Sequence, residues 1–151
     1  MPILELNSVK TDKYFLQSEW VVNIQIPSKV ANDFAKILGD EVPLMQGNYS
    51  HCMYIRDNGR CRFKGNKRAH GGAEETVQEV ELSEIIISIP QEHEILEKIL
   101  RVINQYHVHE EPTVRVSNAF GFRTLCNSDT KNPNKYWNCS DSKEIHGTPV
   151  I

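Results

Sequence analysis

Two segments of this chain repeat one order of features: an alternating run rich in β-branched residues, a single proline, and then apolar residues spaced three and four apart. The first segment is residues 20–38, with Pro27 at the break, and the second is residues 76–106, with Pro90 at the break. Alternation predicts a strand, whereas a spacing of three and four predicts a helix with one buried face. We therefore predict two strands that each lead directly into an amphipathic helix.

Two further regions complete the predicted sheet. Residues 50–64 predict a β-hairpin, because Asn58 and Gly59 are the residue types that a tight two-residue turn needs. Residues 113–116 alternate as a short strand. The resulting order, β-α-β-β-α-β, is the ferredoxin-like plan, in which an antiparallel sheet carries both helices on one face. We predict an α+β, ferredoxin-like fold with an extra β-hairpin, and an opposite sheet face that is solvated or paired with another subunit.

The sequence also predicts where some of these elements begin, end and bend. Ser28 is expected to cap the first helix and Gly39 to end it. The strand at 76–89 changes from alternating to continuously apolar, so a bulge is expected near residues 83–84. A short edge strand is expected around residues 3–6.

At 151 residues, the chain has the length of one globular domain. We expect residues 1–18 to be a leader or edge strand and residues 19–122 to form the domain. Residues 123–151 are polar and predict a C-terminal tail, ordered at most locally by Tyr136 and Trp137.

The net charge of −3 argues against a non-specific nucleic-acid binder, which would need a positive field. The N-terminus has neither a signal-peptide pattern nor a membrane span, so we expect a cytoplasmic protein with no membrane partner. The chain has four cysteines and no C-x-x-C spacing: Cys52, Cys61, Cys126 and Cys139. In the cytoplasm they are expected to be free thiols, and a zinc site built from them is the less favoured alternative.

A basic cluster surrounds the predicted hairpin. Its members are Arg56, Arg60, Arg62, Lys64, Lys67 and Arg68. A solvated face is the first explanation of the cluster, a small-anion site is the second, and nucleic acid is the least favoured partner. The glycine-containing segment at 47–50 offers amides and hydroxyls that suit an anion. The predicted ligand-binding residues are Gly47, Asn48, Tyr49, Ser50, His51, Arg60, Arg62, Lys64, Lys67, Glu110 and Glu111.

His107, His109 and Glu111 are candidate ligands for a divalent metal, since imidazole and carboxylate suit zinc, copper or nickel. If these residues alternate as a strand does, all three side chains point to one face. The structural alternative is a helix end, where the imidazoles cap carbonyl groups and a carboxylate forms a hydrogen bond with a neighbouring loop or subunit. A third alternative is that this cluster helps to bind an organic ligand, and all three interpretations stay open at this point.

Glu79 and Glu81 share one face of the strand that follows the hairpin. They are suited to metal binding or to acid-base chemistry, but we expect them to be solvated or paired with Arg60 and Arg62.

Four motifs resemble those of a known family. They are G-N-Y-S-H-C at 47–52, G-R-C-R-F at 59–63, E-V-E at 79–81 and H-V-H-E-E-P at 107–112. In this order they resemble the inserted CutA-like domain of the YqfO/Nif-three-like proteins, and a related ending occurs in CutA proteins. Both belong with the PII-like trimeric ferredoxin folds. The resemblance covers residues 20–116 and implies a homotrimer whose subunit clefts hold a small ligand.

The chain departs from this family at three positions and in its length. Val108 and His109 replace a proline and a tyrosine, and Cys61 replaces a glycine. The halves that carry the family's dinuclear metal ligands are absent from this sequence, so its suspected hydrolase-like activity does not carry over.

These observations lead to one main hypothesis and two alternatives. The main hypothesis is a non-enzymatic trimeric binding protein for a phosphate-bearing ligand such as a nucleotide. The first alternative is a CutA-like protein that binds copper or zinc, and the second is a nucleotide-processing hydrolase. No catalytic residues are predicted, because His51 and Cys52 are neighbours that point to opposite faces of a strand and no third orienting group is evident.

Overall fold

A computed structural model of the chain describes residues 5–125 and 130–150. Within them lies a four-stranded antiparallel sheet in the order β2-β3-β1-β4. The elements in chain order are β1 (Tyr14–Pro27), α1 (Ser28–Glu41), β2 (Tyr54–Phe63), β3 (Gln78–Pro90), α2 (His93–Tyr106), β4 (Val114–Thr124) and α3 (Ser142–His146). The predicted α+β, ferredoxin-like fold class is confirmed.

The core lies between α1 and α2 and one face of the sheet. Side chains of a strand alternate between its two faces, so every second residue of the central strands β1 and β3 points towards the helices. Burying each such aliphatic side chain stabilises the fold by about 1.5–3 kcal/mol. The central members of the core are Val22, Ile24, Ile26, Phe34, Leu38, Ile85, Ile87, Ile89, Ile99, Val102 and Ile103. The other face of the sheet has no helix over it in the described residues.

Strands β1 and β4 are longer than predicted. Beyond the pair formed by Glu19 and Pro90, where β3 ends, β1 and β4 continue as a two-stranded ribbon that closes with Tyr14 opposite Thr124. The edge strand expected near residues 3–6 is not found at Leu6–Ser8, which form a 3₁₀ turn, and residues 3–4 lie outside the described residues.

The separate hairpin predicted at 50–64 is wrong. Strand β2 is continuous from Tyr54 to Phe63, and its pairing partner is β3. Arg56 lies opposite Glu84 and Gly59 lies opposite Leu82, so two residues of β2 face one residue of β3, which defines a β-bulge.

The bulge explains the turn-like sequence. Asn58 has the positive φ of 72° that a tight turn would also have required. The bulge lies opposite Ser83, where the sequence predicts a bend, and the Ser83 hydroxyl donates to Asp57 Oδ1 at 2.6 Å. The predicted irregularity is therefore real but belongs to the neighbouring strand.

Helix α1 begins at Ser28, whose side chain does not cap it, and runs past Gly39 to Glu41. The prediction that Gly39 ends the helix is wrong. A Cβ at Gly39 would lie 2.8 Å from Cδ2 of His51, so the missing side chain makes room for a packed imidazole. No helix in residues 5–125 and 130–150 is long and apolar enough to cross a membrane.

The described part of the tail has local order. The Trp137 indole N–H donates to the carbonyl of Thr130 at 2.7 Å, and the ring of Tyr136 stacks on His146 with 4.5 Å between ring centroids. Cys126 lies outside the described residues, and the other three cysteines are free thiols.

Candidate functional site

The predicted ligand-binding residues divide between the two ends of β2. Residues 46–52, hereafter the turn segment, precede this strand, and residues 64–77, hereafter the arm loop, follow it. Strand β2 has 10 residues, and ten extended residues span about 30 Å. Within one chain, Gly47–His51 therefore lie at the opposite end of β2 from Lys64 and Lys67.

The arm loop is closed by a carboxylate. The main-chain N–H of Gly65 donates to Glu74 Oε1 at 2.9 Å, and the N–H of Glu74 donates back to the carbonyl of Gly65 at 3.0 Å. A second carboxylate, that of Glu110, accepts the main-chain N–H of His70 at 2.8 Å. Glu110 thus ties the arm loop to the connection between α2 and β4.

Arginines of β2 are paired with acids of β3. Glu79 contacts Arg62 at 2.6 Å and Arg60 at 3.5 Å, which confirms the pairing predicted for this carboxylate. The hydrogen bond from Arg62 is the main cause that lowers the pKa of Glu79. Glu81 makes no ion pair in the described residues. Since both arginines already contact Glu79, they are poorer candidates for holding a phosphate than an unpaired cation.

Three other cations of the same end are unpaired. Lys64, Lys67 and Arg68 are exposed and make no ion pair within residues 5–125 and 130–150. These three side chains are the free positive charge of the arm loop.

His107 is buried and has both ring nitrogens engaged. Its Nε2–H donates to the carbonyl of Gln25 at 2.7 Å, and its Nδ1 accepts the main-chain N–H of His109 at 3.0 Å. This pattern requires a neutral imidazole. Burial lowers the pKa of His107, which agrees with that state.

The predicted metal site at His107, His109 and Glu111 is not assembled. A metal needs a free lone pair on nitrogen, and both nitrogens of His107 already serve the main chain. No three His, Cys, Asp or Glu side chains in the described ranges form a group that could hold a metal ion.

His109 instead forms part of an aromatic group at the base of the arm loop. Its ring centroid lies 6.2 Å from that of Phe63 and 5.2 Å from that of His107. The side chain of Phe63 is 48% exposed, so one face of this group is open to a ligand.

At the far end of β2, the turn segment closes on itself. Gln46 and Tyr49 exchange two main-chain hydrogen bonds, of 2.8 and 3.0 Å, and Gly47 has φ 58° as the first central residue of a tight turn requires. The hydroxyl of Tyr136 forms a side-chain hydrogen bond with Tyr49, which raises the pKa of Tyr136. Because Gln46 and Tyr49 use their main-chain N–H groups on each other, these two groups are not available to an anion.

Beside this turn, the side chains of Ser50, His51 and Asp40 form a hydrogen-bonded chain. Ser50 Oγ lies 2.9 Å from His51 Nδ1, and His51 Nε2 lies 3.4 Å from Asp40 Oδ1. The carboxyl of Asp40 has a lowered pKa, chiefly because Lys36 bonds to it and then because His51 does. Sequence reasoning missed this group because Asp40 belongs to α1, eleven positions before His51, and no local pattern connects them.

No protein-family model matches the sequence, and no curated protein matches it. Solved structures do share its fold. A Bacillus cereus protein related to NIF3 superposes with a TM-score of 0.55 at 24% identity, over 77% of this chain and 31% of that protein. The divalent ion tolerance protein CutA1 from Ehrlichia chaffeensis gives a TM-score of 0.50 at 12% identity, over 68% of this chain and 82% of CutA1.

The chain has the fold of CutA1 and of part of the NIF3-related protein. The nitrogen regulatory PII-like protein CPII from Thiomonas intermedia K12 gives a TM-score of 0.48 at 17% identity, over 73% of this chain and 98% of CPII. This chain spans about a third of the length of the Bacillus cereus protein.

Proposed function

We propose that this chain is a small-molecule-binding module that takes a phosphate-bearing ligand, such as a nucleotide, at the arm loop. The observation that carries the proposal is the combination of unpaired cations with an open aromatic face. Lys64, Lys67 and Arg68 supply the charge, and Phe63 and His109 supply the rings.

The cations suit a phosphate because of how they are presented. The bonds between Gly65 and Glu74 close a short ring of chain that contains Lys67 and Arg68. Part of the entropy cost of ordering this loop is therefore met before a ligand binds. An arginine offers two parallel N–H donors to phosphate oxygens, and a lysine offers a compact positive charge.

The ring of Phe63 suits a nucleobase or another flat group. Stacking of one base on an aromatic side chain contributes about 1–3 kcal/mol. Because the ring is partly exposed beside His109, a base has access to it.

The ligand set differs from the one expected from sequence alone. Arg60 and Arg62 are left out because both contact Glu79, and Glu110 becomes an anchor of the arm loop. The turn segment belongs to the opposite end of the sheet.

We further propose that the module is a cytoplasmic homotrimer. The sequence resemblance implies this assembly, and the sheet face without helices is the surface that supports it. On that face, Asn23 Oδ1 is buried and has no hydrogen-bond partner among residues 5–125 and 130–150, which costs about 1–3 kcal/mol unless another group supplies one.

Copper or zinc binding is the less favoured function. The Ehrlichia chaffeensis CutA1 is a divalent ion tolerance protein, which is what favours this alternative. In this chain both ring nitrogens of His107 form hydrogen bonds with main-chain groups, so its imidazole is a poor metal ligand.

Calorimetry with ATP, ADP, AMP, adenosine and pyrophosphate tests the proposal. We expect heat of binding for the nucleotides and pyrophosphate, weaker binding for pyrophosphate than for ADP, and none for adenosine. Replacing Lys67 and Arg68 by alanine is expected to weaken ADP binding by at least about tenfold each, since each removes a charged hydrogen bond.

The matched control replaces Arg60 and Arg62, which lie on the same arm but are paired with Glu79. Their alanine variants should bind ADP within about twofold of the parent, because in the proposed site both guanidinium groups contact Glu79 rather than the ligand. Native mass spectrometry of the same samples reports the number of chains. A trimer that binds none of the five compounds would refute the ligand proposal, and turnover of ATP would favour the hydrolase alternative.

A further inference from the structure

The chain of Ser50, His51 and Asp40 lies at the end of β2 opposite the arm loop, so it is a separate feature from the proposed phosphate site. A hydroxyl, an imidazole and a carboxylate bonded in this order are the arrangement that activates a serine nucleophile. We infer that Ser50 is a nucleophile that accepts acyl groups from small activated carboxylic esters, with His51 as its general base.

The proton positions follow from the partners. A carboxylate can only accept hydrogen bonds, so the contact with Asp40 requires the proton on Nε2 of His51. A neutral imidazole with its proton on Nε2 has a free lone pair on Nδ1. Nδ1 therefore accepts the hydroxyl proton of Ser50, as a general base must.

The imidazole is held in place by the fold. His51 has φ 58°, a left-handed conformation that is uncommon for a residue with a side chain. The ring reaches Asp40 because it lies against Gly39, whose position has no Cβ to obstruct it.

The chain is anchored on both sides of this pair. The two-residue turn from Gln46 to Tyr49 comes before it, and the N–H of Cys52 donates to the carbonyl of Leu44 at 3.0 Å after it. The orientation of His51 therefore depends on several independent contacts.

The surroundings permit the reaction. Ser50 and His51 are exposed, which gives a small ester access to the hydroxyl. Their main-chain N–H groups donate no hydrogen bond within the described residues, so they are available to a developing oxyanion.

The step balances with water alone as co-reactant. The hydroxyl oxygen of Ser50 attacks the carbonyl carbon while Nδ1 of His51 takes its proton. The bond from carbon to the leaving alkoxide then breaks, and the alkoxide receives that proton and leaves as an alcohol. Water attacks the resulting serine ester with His51 again as base, which releases a carboxylic acid and restores Ser50.

A fluorophosphonate probe and p-nitrophenyl acetate test the inference on the full chain. We expect the probe to label one residue, Ser50, as located by peptide mass spectrometry, and p-nitrophenol to be released in a burst. Ser50→Ala should abolish both signals. His51→Asn should slow labelling by at least about tenfold, since a general base contributes 10²–10⁴-fold in typical enzymes.

Asparagine is chosen because it tolerates the left-handed conformation better than most residues, so this variant retains the backbone. Asp40→Asn tests the positioning residue, and we expect slower labelling with an unchanged melting temperature. Added imidazole should restore part of the labelling rate of a His51→Gly variant.

Ser117→Ala is the matched control, since Ser117 is exposed on β4 and has no side-chain hydrogen bond to a histidine in the described residues. Its labelling should equal that of the parent. Labelling spread over several serines, or an equal rate at Ser50 in folded His51→Asn, would overturn the inference.

Discussion

Gly121 in β4 leaves the space that the buried carboxylate of Glu19 occupies. A Cβ built on Gly121 would overlap the oxygens of that carboxylate, which is paired with the guanidinium of Arg123. Glu19 is only 3% exposed, so the ion pair lies within the β1–β4 ribbon. The absence of a side chain at Gly121 is therefore what allows a charged pair inside this part of the sheet.

Replacing Gly121 by alanine should destabilise the protein by about 1–3 kcal/mol, the usual cost of excess volume in a packed site. The added methyl group must displace Glu19 or bend the strand. Urea unfolding measures the change in the free energy of unfolding. Gly71→Ala is the control, because a Cβ at that position meets no atom within 4 Å. Equal effects for both variants would contradict the packing explanation.

Removing the guanidinium should cost more than removing the whole pair. Arg123→Met leaves the carboxylate of Glu19 buried without its partner, and breaking a buried ion pair costs about 3–5 kcal/mol. We expect the double variant Glu19→Met and Arg123→Met to recover at least half of that loss in urea unfolding. A double variant that is less stable than Arg123→Met would refute the role of the unpaired charge.

Stability should fall as the pH is lowered through the range in which histidine titrates. The pKa of His107 is below its ordinary value of 6.5, so between these two values the unfolded chain binds more protons than the folded chain. The neutral imidazole of His107 therefore contributes its full stabilisation above about pH 6.5. This contribution is lost as the pH falls towards the pKa that His107 has in the folded protein.

Urea unfolding at several pH values measures this dependence. His107→Gln should flatten the slope, whereas His70→Gln should leave it unchanged, since His70 is exposed and uses only its main-chain N–H on Glu110. A parent slope that survives in His107→Gln would assign the dependence to another group.

Glu110→Ala should loosen the arm loop. The variant removes the acceptor of the His70 N–H, and loss of a hydrogen bond of about 1 kcal/mol corresponds to roughly fivefold faster amide exchange. Hydrogen exchange measured by mass spectrometry should show the change in peptides that contain His70. Glu110→Gln keeps an acceptor oxygen and should exchange more slowly than the alanine variant. Glu111→Ala, next in sequence, should have no effect on the loop.

Local patterns determined the order of the elements and the core faces. The prolines at 27 and 90 separate each strand from its helix, and the periodicity of two or 3.6 reports which side chains share a face. The prolines and the periodicity involve only residues that are close in sequence, so both can be recognised without knowledge of the packing. The lengths of β1 and β4 were not predictable in this way, because each strand is extended by pairing with the other.

The role of Gly39 was decided by the tertiary structure. A glycine near the end of an amphipathic run has the same local appearance whether it terminates the helix or makes room for another segment. Here the ring of His51 occupies that room, and the contact joins residues that are twelve positions apart.

A similar local ambiguity at Asn58 affected where the predicted ligand-binding residues were expected to lie. A two-residue turn and a β-bulge both accept a residue with positive φ, so the sequence by itself determined the unusual backbone but not its use. A hairpin would have folded the chain back and brought the turn segment beside the arm loop. Because β2 pairs with β3 along its whole length, these segments lie at opposite ends of a strand. That distant pairing separated the predicted ligand site into a basic, aromatic end and the serine, histidine and aspartate group.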